Sequence, residues 1–311
     1  PTPTSTPTAS PTPTAAPSPT VTPTATPTAT PTYTTMTNAR LTSGTPSAPR
    51  VYERIIFTGG DATRGVLHVN YTLHDVVIRD CIIDSGPQNG LTINALDNAV
   101  IANVRFENVI VRPQPRMGVE VTDRTSSGRT SNNWHHLTFD RMTIEPQGSE
   151  AFSLCSGMTG DTVTTIRDMT IEGSGNRPDL YPWGQGFEIN KARGVTVDGL
   201  TIGQTRGAAF NLQGPSSGTD MLWRFSRVVA DMRVKDDQQI EPMSSTAQVV
   251  YCKNATGWRF SGTVVTAPSG SYNGYLDNVN GADFTGTTWL RPGSKPYVSQ
   301  VNGSGGNVAL P

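Results

Sequence analysis

Cysteine, charge and long apolar runs are all scarce in this 311-residue chain, and each scarcity closes off a class of protein. The three cysteines, Cys81, Cys155 and Cys252, are widely spaced and form no CxxC pair, so no disulfide framework is available and at least one thiol stays unpaired. Charged residues make up only 16% of the chain and sum to a formal charge of -1, with acids and bases interspersed. No extended field results, which excludes nucleic acid and an anionic membrane surface as expected partners. No apolar run approaches the ~20 residues that a bilayer span needs. The four histidines, His68, His74, His135 and His136, lack zinc-ligand spacing, and neither a GxSxG elbow nor a P-loop occurs.

Proline, by contrast, is concentrated at one end. Residues 1–35 hold 10 of the 24 prolines, and no charged residue precedes Arg40. This Pro/Thr/Ser tract lacks large apolar side chains, and proline fixes φ while removing backbone donors, so it cannot pack. It is expected to be a disordered, extended spacer. Tracts of this composition occur as O-glycosylated stalks and as linkers between modules of exported proteins, which points to a secreted or cell-surface location and to a further module as partner through the linker. The remaining residues, 36–311, form the folding domain.

That domain carries a repeat. Two short apolar-alternating strands flank a two-residue polar corner: Val76-x-Ile78, Arg79-Asp80, Cys81-x-Ile83, then Val104-x-Phe106, Glu107-Asn108, Val109-x-Val111. Further copies follow at Leu137/Phe139, Ile166, Val195/Val197, Trp223/Phe225, Trp258/Phe260 and Ala282/Phe284, at steps of 24 to 35 residues. A third strand lies between copies, as in Leu67-His68-Val69-Asn70, Val119-Glu120-Val121-Thr122 and Phe187-Glu188-Ile189-Asn190. It becomes ambiguous at Val250-Tyr251-Cys252-Lys253 and Tyr275-Leu276-Asp277. Three strands per ~30 residues without regular hairpin turns call for a coil, in which equivalent strands stack in parallel and apolar side chains line interior columns. Trp223, Trp258, Phe139, Phe225, Phe260 and Phe284 are expected to stack inside, with Cys81 inward as a small apolar filler.

On these strands the chain resembles the right-handed parallel β-helix superfamily that includes pectate lyases and polygalacturonases, over about residues 50–303. The resemblance implies an all-β, single-stranded right-handed parallel β-helix of about eight to nine coils behind a disordered tail; the hand also follows from the crossover rule. It further implies a polysaccharide partner. The polygalacturonase signatures, an Asn-Thr-Asp strand, a paired-Asp strand, Gly-His-Gly and Arg-Ile-Lys, are missing, so no catalytic identity is carried over. The aspartate cluster with which pectate lyases hold calcium is not matched either, so calcium is unsupported and no cofactor is expected.

The third-strand column presents His68, Thr92, Glu120, Ser153, Glu188 and Asn211 outward, with Asn190 in the next column. A regular lattice of polar side chains can track successive units of a linear polymer. Glu120 and Glu188, two rungs apart, are the candidate catalytic pair; at about 9–10 Å they stand at the upper edge of the separation in inverting glycosidases. Glu188 is the expected proton donor, favoured by Phe187 and Trp183 around it, and Glu120 the base; the alternative is two solvated charges. Tyr181 and Trp183 are expected either to stack on sugar rings or to pack on the coil's flank. Lys191 and Arg193 either neutralise a uronate carboxylate or cap the sheet edge. His68, Asn190 and Asn211 complete the expected substrate contacts. The reading is a secreted enzyme that cleaves a polysaccharide by hydrolysis or β-elimination in a groove along one sheet. A non-catalytic glycan-binding or adhesive module and a structural subunit of an extracellular assembly are the alternatives.

Overall fold

The computed structural model describes residues 31–61, 63–95, 99–123, 133–156, 161–177, 179–180, 184–215, 220–232, 248–267, 272–291 and 297–311. The expected spacer, residues 1–35, lies mostly outside them. Its last residues do not: Thr34–Thr37 is a strand that pairs in parallel with Ile55–Thr58. Among the described residues every strand pairing is parallel, in a fifteen-stranded and a nine-stranded sheet, and the chain is a parallel β-helix.

The repeat explains the larger sheet. Residues before each corner stack as one inward file, Tyr52, Ile78, Phe106, Phe139, Ile166, Val197, Phe225 and Phe260. Those after it stack as a second, running from Met36 and Phe57 through Ile83, Val111, Ile144, Ile171, Ile202, Ala230 and Val265 to Trp289. The corner itself is a left-handed residue. Arg54, Asp80, Asn108, Arg141, Asp168 and Arg227 all have φ between 46° and 53°, and Gly199, Gly262 and Gly286 hold the same position. Six of these nine corners are Asp, Asn or Gly, the residues that best tolerate this conformation, and the other three are Arg. At Gly199 a Cβ would stand 2.4 Å from Asp168 Oδ1 and 3.1 Å from the Asp168 amide nitrogen, so close stacking of successive corners adds a second reason for glycine.

One copy of the phrase escapes the sequence reading. Tyr52, Glu53-Arg54, Ile55-x-Phe57 forms a corner one rung before Val76, so nine corners stack rather than eight. It differs because it ends the stack: the Tyr52 hydroxyl accepts from the Thr42 amide at 2.8 Å, a polar lid over the last apolar rung.

The six aromatic residues assigned to the interior are all buried there, as are Cys81 and Cys252. Phe106 stacks on Phe139 at 5.2 Å, and Phe152 on Phe187 at 5.2 Å. Trp223 meets Trp258 edge-on, while its indole N–H donates to the Ala192 carbonyl at 2.7 Å.

Outside, the corners are laced by charge. Arg227 donates to Asp198 one rung back, at 2.7 and 2.9 Å, and to Asp168 two rungs back at 3.1 Å. The Arg227 guanidinium, with the Ser226 hydroxyl, holds the Asp198 carboxyl down at about 2. A depressed carboxyl pKa stabilises the fold above its unfolded value of about 3.9, and that contribution fades as pH falls through the folded value. Arg227→Met is therefore expected to lower the urea midpoint at pH 6 and to lose at least half of that deficit by pH 2. Parallel denaturation curves check this; an equal deficit at both pH values would detach the effect from Asp198.

Candidate functional site

The nine-stranded sheet carries the candidate site. In order along the coil its strands are Leu67–Val69, Leu91–Asn94, Val119–Thr122, Phe152–Cys155, Phe187–Asn190, Phe210–Gln213, Gln248–Lys253, Tyr272–Asp277 and Val298–Val301. In the six strands from Leu67–Val69 to Phe210–Gln213 each inward residue is apolar and buried, so the alternate position is driven outward. Register then aligns His68, Thr92, Glu120, Ser153, Glu188, Asn211, Tyr251, Tyr275 and Ser299 in one unbroken file. At about 4.8 Å per rung the file extends about 38 Å. The two ambiguous strands thus take their places, with Tyr251 and Tyr275 outward.

Glu120 and Glu188 lie in this file with Ser153 between them. Cross-rung hydrogen bonds orient both. Asn89 donates to Glu120 Oε2 at 2.8 Å and to Thr92 Oγ1 at 3.2 Å, and Glu120 is only 8% exposed. Glu188 receives the Ser153 hydroxyl on Oε2 at 2.7 Å and the Asn211 amide on Oε1 at 3.1 Å, while Gln213 donates to Asn211 Oδ1 at 3.0 Å. The half-buried Cys155 thiol stands 3.2 Å from the Ser153 hydroxyl. Phe187 does not enclose Glu188 as the sequence reading required: it points into the core with no exposed surface, because adjacent residues of a strand face opposite ways.

The other expected site residues separate. Asn190 is half-buried in the second outward file, paired with Gln213, and its carbonyl accepts from the Ser156 amide at 2.8 Å. Lys191, exposed and at φ 60°, turns the corner after that strand in a bridge with Cys155. Arg193 begins the next face, on the larger sheet, where its Nε donates to the Asp220 carbonyl at 2.7 Å. His68 is half-buried at the first rung, and burial, helped by Arg64, holds its imidazole pKa below the ordinary value. Tyr181 and Trp183 lie outside the described residues. Asp123, a further carboxylate after the Glu120 strand, is buried and accepts from the Ser156 hydroxyl at 3.2 Å.

Two features went unseen in the sequence. Asn89 sits 31 positions from its partner Glu120, and only the register brings them together. Tyr251 and Tyr275 stack with ring centroids 5.8 Å apart and 9° between planes, extending the file beyond Asn211; burial raises the Tyr251 hydroxyl pKa. The Val-Tyr-Cys-Lys alternation was the signal for the first of these. Among the described residues no group of three or more His, Cys, Asp or Glu is arranged to hold a metal ion, and no helix is long and apolar enough to cross a membrane.

No protein-family model matches the chain, and no curated protein sequence does. Among solved structures, the Agl-KA catalytic domain is similar with a TM-score of 0.49 and 14% identity, over 83% of this chain and 46% of that one. The chain thus spans less than half of that structure. An alginate lyase from Paenibacillus sp. str. FPU-7 is similar with a TM-score of 0.42 and 15% identity, over 84% of this chain and 86% of that one. The A-module of the Azotobacter vinelandii mannuronan C-5 epimerase AlgE6 follows at 0.34 and 11%, over 87% of each chain. The parallel coil itself rests on the strand pairing of this chain.

Proposed function

We propose that the protein is a secreted or cell-surface carbohydrate-active protein that holds a linear polysaccharide along the outer file of the nine-stranded sheet and cleaves it at Glu120 and Glu188. The observation that carries this reading is the unbroken polar file with two oriented carboxylates two rungs apart. A separation of about 9–10 Å leaves room for water beneath a sugar ring, as in inverting hydrolysis. Glu188, oriented by Ser153 and Asn211, activates the water, and Glu120, oriented by Asn89, donates the proton to the leaving oxygen. This reverses the roles expected from sequence, because Phe187 is inward.

One observation favours a second reading, a binding module without chemistry: the same hydrogen bonds that orient the carboxylates also complete a structural ladder along the file. Incubating the full chain with a panel of neutral and acidic polysaccharides separates the two. New reducing ends without an unsaturated product are expected. An ultraviolet band from an unsaturated sugar would replace hydrolysis by elimination. Saturable binding with unchanged chain length would establish the second reading, and no binding to any polymer would remove both.

A further inference from the structure

The file does not simply run out at His68. Its strand, Leu67–Val69, is the edge of the nine-stranded sheet among the described residues. Against that edge lies an open cavity of about 600 Å³, lined by Asn38–Arg40, Gly60, Asp61, Arg64–Val66, His68, Asn70 and Tyr71. That volume falls in the range of small-molecule sites.

Its electrostatics are lopsided. The Arg40 guanidinium lies 4.0 Å over the Tyr71 ring, and Tyr71 is itself pinned because its hydroxyl accepts from the Leu41 amide at 2.7 Å. Arg40 is exposed and makes no ion pair among the described residues. Arg64 Nε stands 3.6 Å from Asp61 Oδ2, while Asp61 Oδ1 already accepts the Thr63 amide at 2.8 Å and the Thr63 hydroxyl at 2.7 Å. The lining therefore holds two guanidinium groups against one carboxylate, and that carboxylate's acceptors are partly filled. His68, kept neutral near pH 7 by its burial, adds a hydrogen-bonding group but no charge. The cavity is short of one anion and offers planar donor forks of the kind that grip a carboxylate.

We propose that this cavity is an end subsite for a carboxylate-bearing sugar, a uronate residue at the terminus of the glycan whose following units run up the file over Glu120 and Glu188. The inference rests on the polysaccharide reading and deepens it by naming an acidic polymer bound from its end. His68 joins the two parts, since it lines the cavity and begins the file. Thr92 separates it from Glu120 by two rungs, about 10 Å. Chain-end capture at that distance places the first bonds of the polymer within reach of the carboxylate pair.

The test titrates the full chain by calorimetry with sodium glucuronate, galacturonate, mannuronate and guluronate, with their uncharged methyl esters, and with acetate, while following the His68 imidazole resonances. At least one uronate is expected to bind and shift the His68 signals. Its ester and acetate are expected to bind at least about ten-fold more weakly, and Arg40→Gln and Arg64→Gln each to weaken the uronate by about ten-fold or more. Both arginines are exposed, and a thermal midpoint within a few degrees of the parent shows that each variant is folded. Glu188→Gln is expected to leave monosaccharide binding unchanged. Failure of all four uronates, equal affinity for acid and ester, equal affinity for acetate, or indifference to both arginine variants would overturn the subsite. Polymer cleavage that depends on Glu188 but not on Arg40 or Arg64 would overturn the subsite and leave the groove standing. Uronate binding at His68 without any polymer binding would do the reverse.

Discussion

Glu188→Gln is expected to lower the rate of glycan cleavage by about 10²- to 10⁴-fold, the range for loss of one general acid or base, while leaving the coil folded. The amide keeps the shape of the carboxylate. Ser153 can turn its hydroxyl to donate or accept, and the Asn211 amide can flip, so the cross-rung contacts at 2.7 and 3.1 Å survive in rearranged form. What is lost is the anion. Glu120→Gln is expected to cost a comparable factor for the opposite reason, since an amide beside Asn89 has no proton to give. The leaving group distinguishes the two roles. An activated aryl leaving group, which departs without a proton, is expected to restore cleavage to Glu120→Gln and not to Glu188→Gln. Combining the substitutions should cost far less than the product of the single losses, because the two groups act as one unit. Wild-type turnover in both single variants would move the chemistry elsewhere on the coil. Rescue of Glu188→Gln instead of Glu120→Gln by the activated leaving group would return the proton to Glu188.

The coil was legible because its alternation is dense. Val, Ile, Leu and Phe at every second position leave one way to stack, and the left-handed corner leaves Asp, Asn and Gly as a visible mark at Asp80, Asn108 and Gly199. Where the pattern thinned, a local substitution in the core is the cause. At Tyr272–Asp277 the inward place filled by Phe210 and Val250 in earlier rungs is taken by Gly274, where a Cβ would lie 3.3 Å from Val298 and 3.7 Å from the Trp289 ring. Val298 and the Trp289 indole supply the bulk that the strand itself does not, so the apolar signal moves to residues later in the chain. The first corner, at Glu53-Arg54, was obscured for a related reason: Tyr52 is capped by Thr42 rather than by another apolar side chain.

The site was legible only as a column. Its outward members follow from the period of two, and His68, Glu120, Glu188 and Asn211 do share a file. Which neighbour donates to which carboxylate depends on loop lengths that vary from rung to rung, so Asn89 could not be assigned to Glu120 from sequence. The basic side chains show the same limit. Arg193 follows the Glu188 strand closely in sequence, yet it crosses a corner and faces the Asp220 carbonyl. Arg40 and Arg64, which follow the successive strands Thr34–Thr37 and Ile55–Thr58, meet at the first rung of the file only because those strands stack.

Phe187→Ala is expected to destabilise the protein by about 3–5 kcal/mol, the cost of removing a large aromatic side chain from a core that cannot close over the gap. Phe187 has no exposed surface, lies flat on Phe152 at 5.2 Å and 2°, and meets Phe210 and Phe225 edge-on at 6.1 and 6.2 Å. Parallel ladders on both sides hold its strand in register, so the rungs above and below cannot approach to fill the void. Thr196→Ala, on an outward position of the adjoining face, removes only solvated surface and should stay within about 0.5 kcal/mol. In a coil each rung contacts chiefly its neighbours, so hydrogen exchange should accelerate first in Phe152–Cys155, Phe187–Asn190 and Phe210–Gln213, and the urea transition should broaden if those rungs open separately. Those are also the strands that aim Ser153, Glu188 and Asn211. The variant should therefore lose turnover at temperatures well below its unfolding midpoint, since the groups remain and only their alignment loosens. A loss below about 1 kcal/mol would mean that the stacked rings fill space without bearing on the stability of the rungs they join.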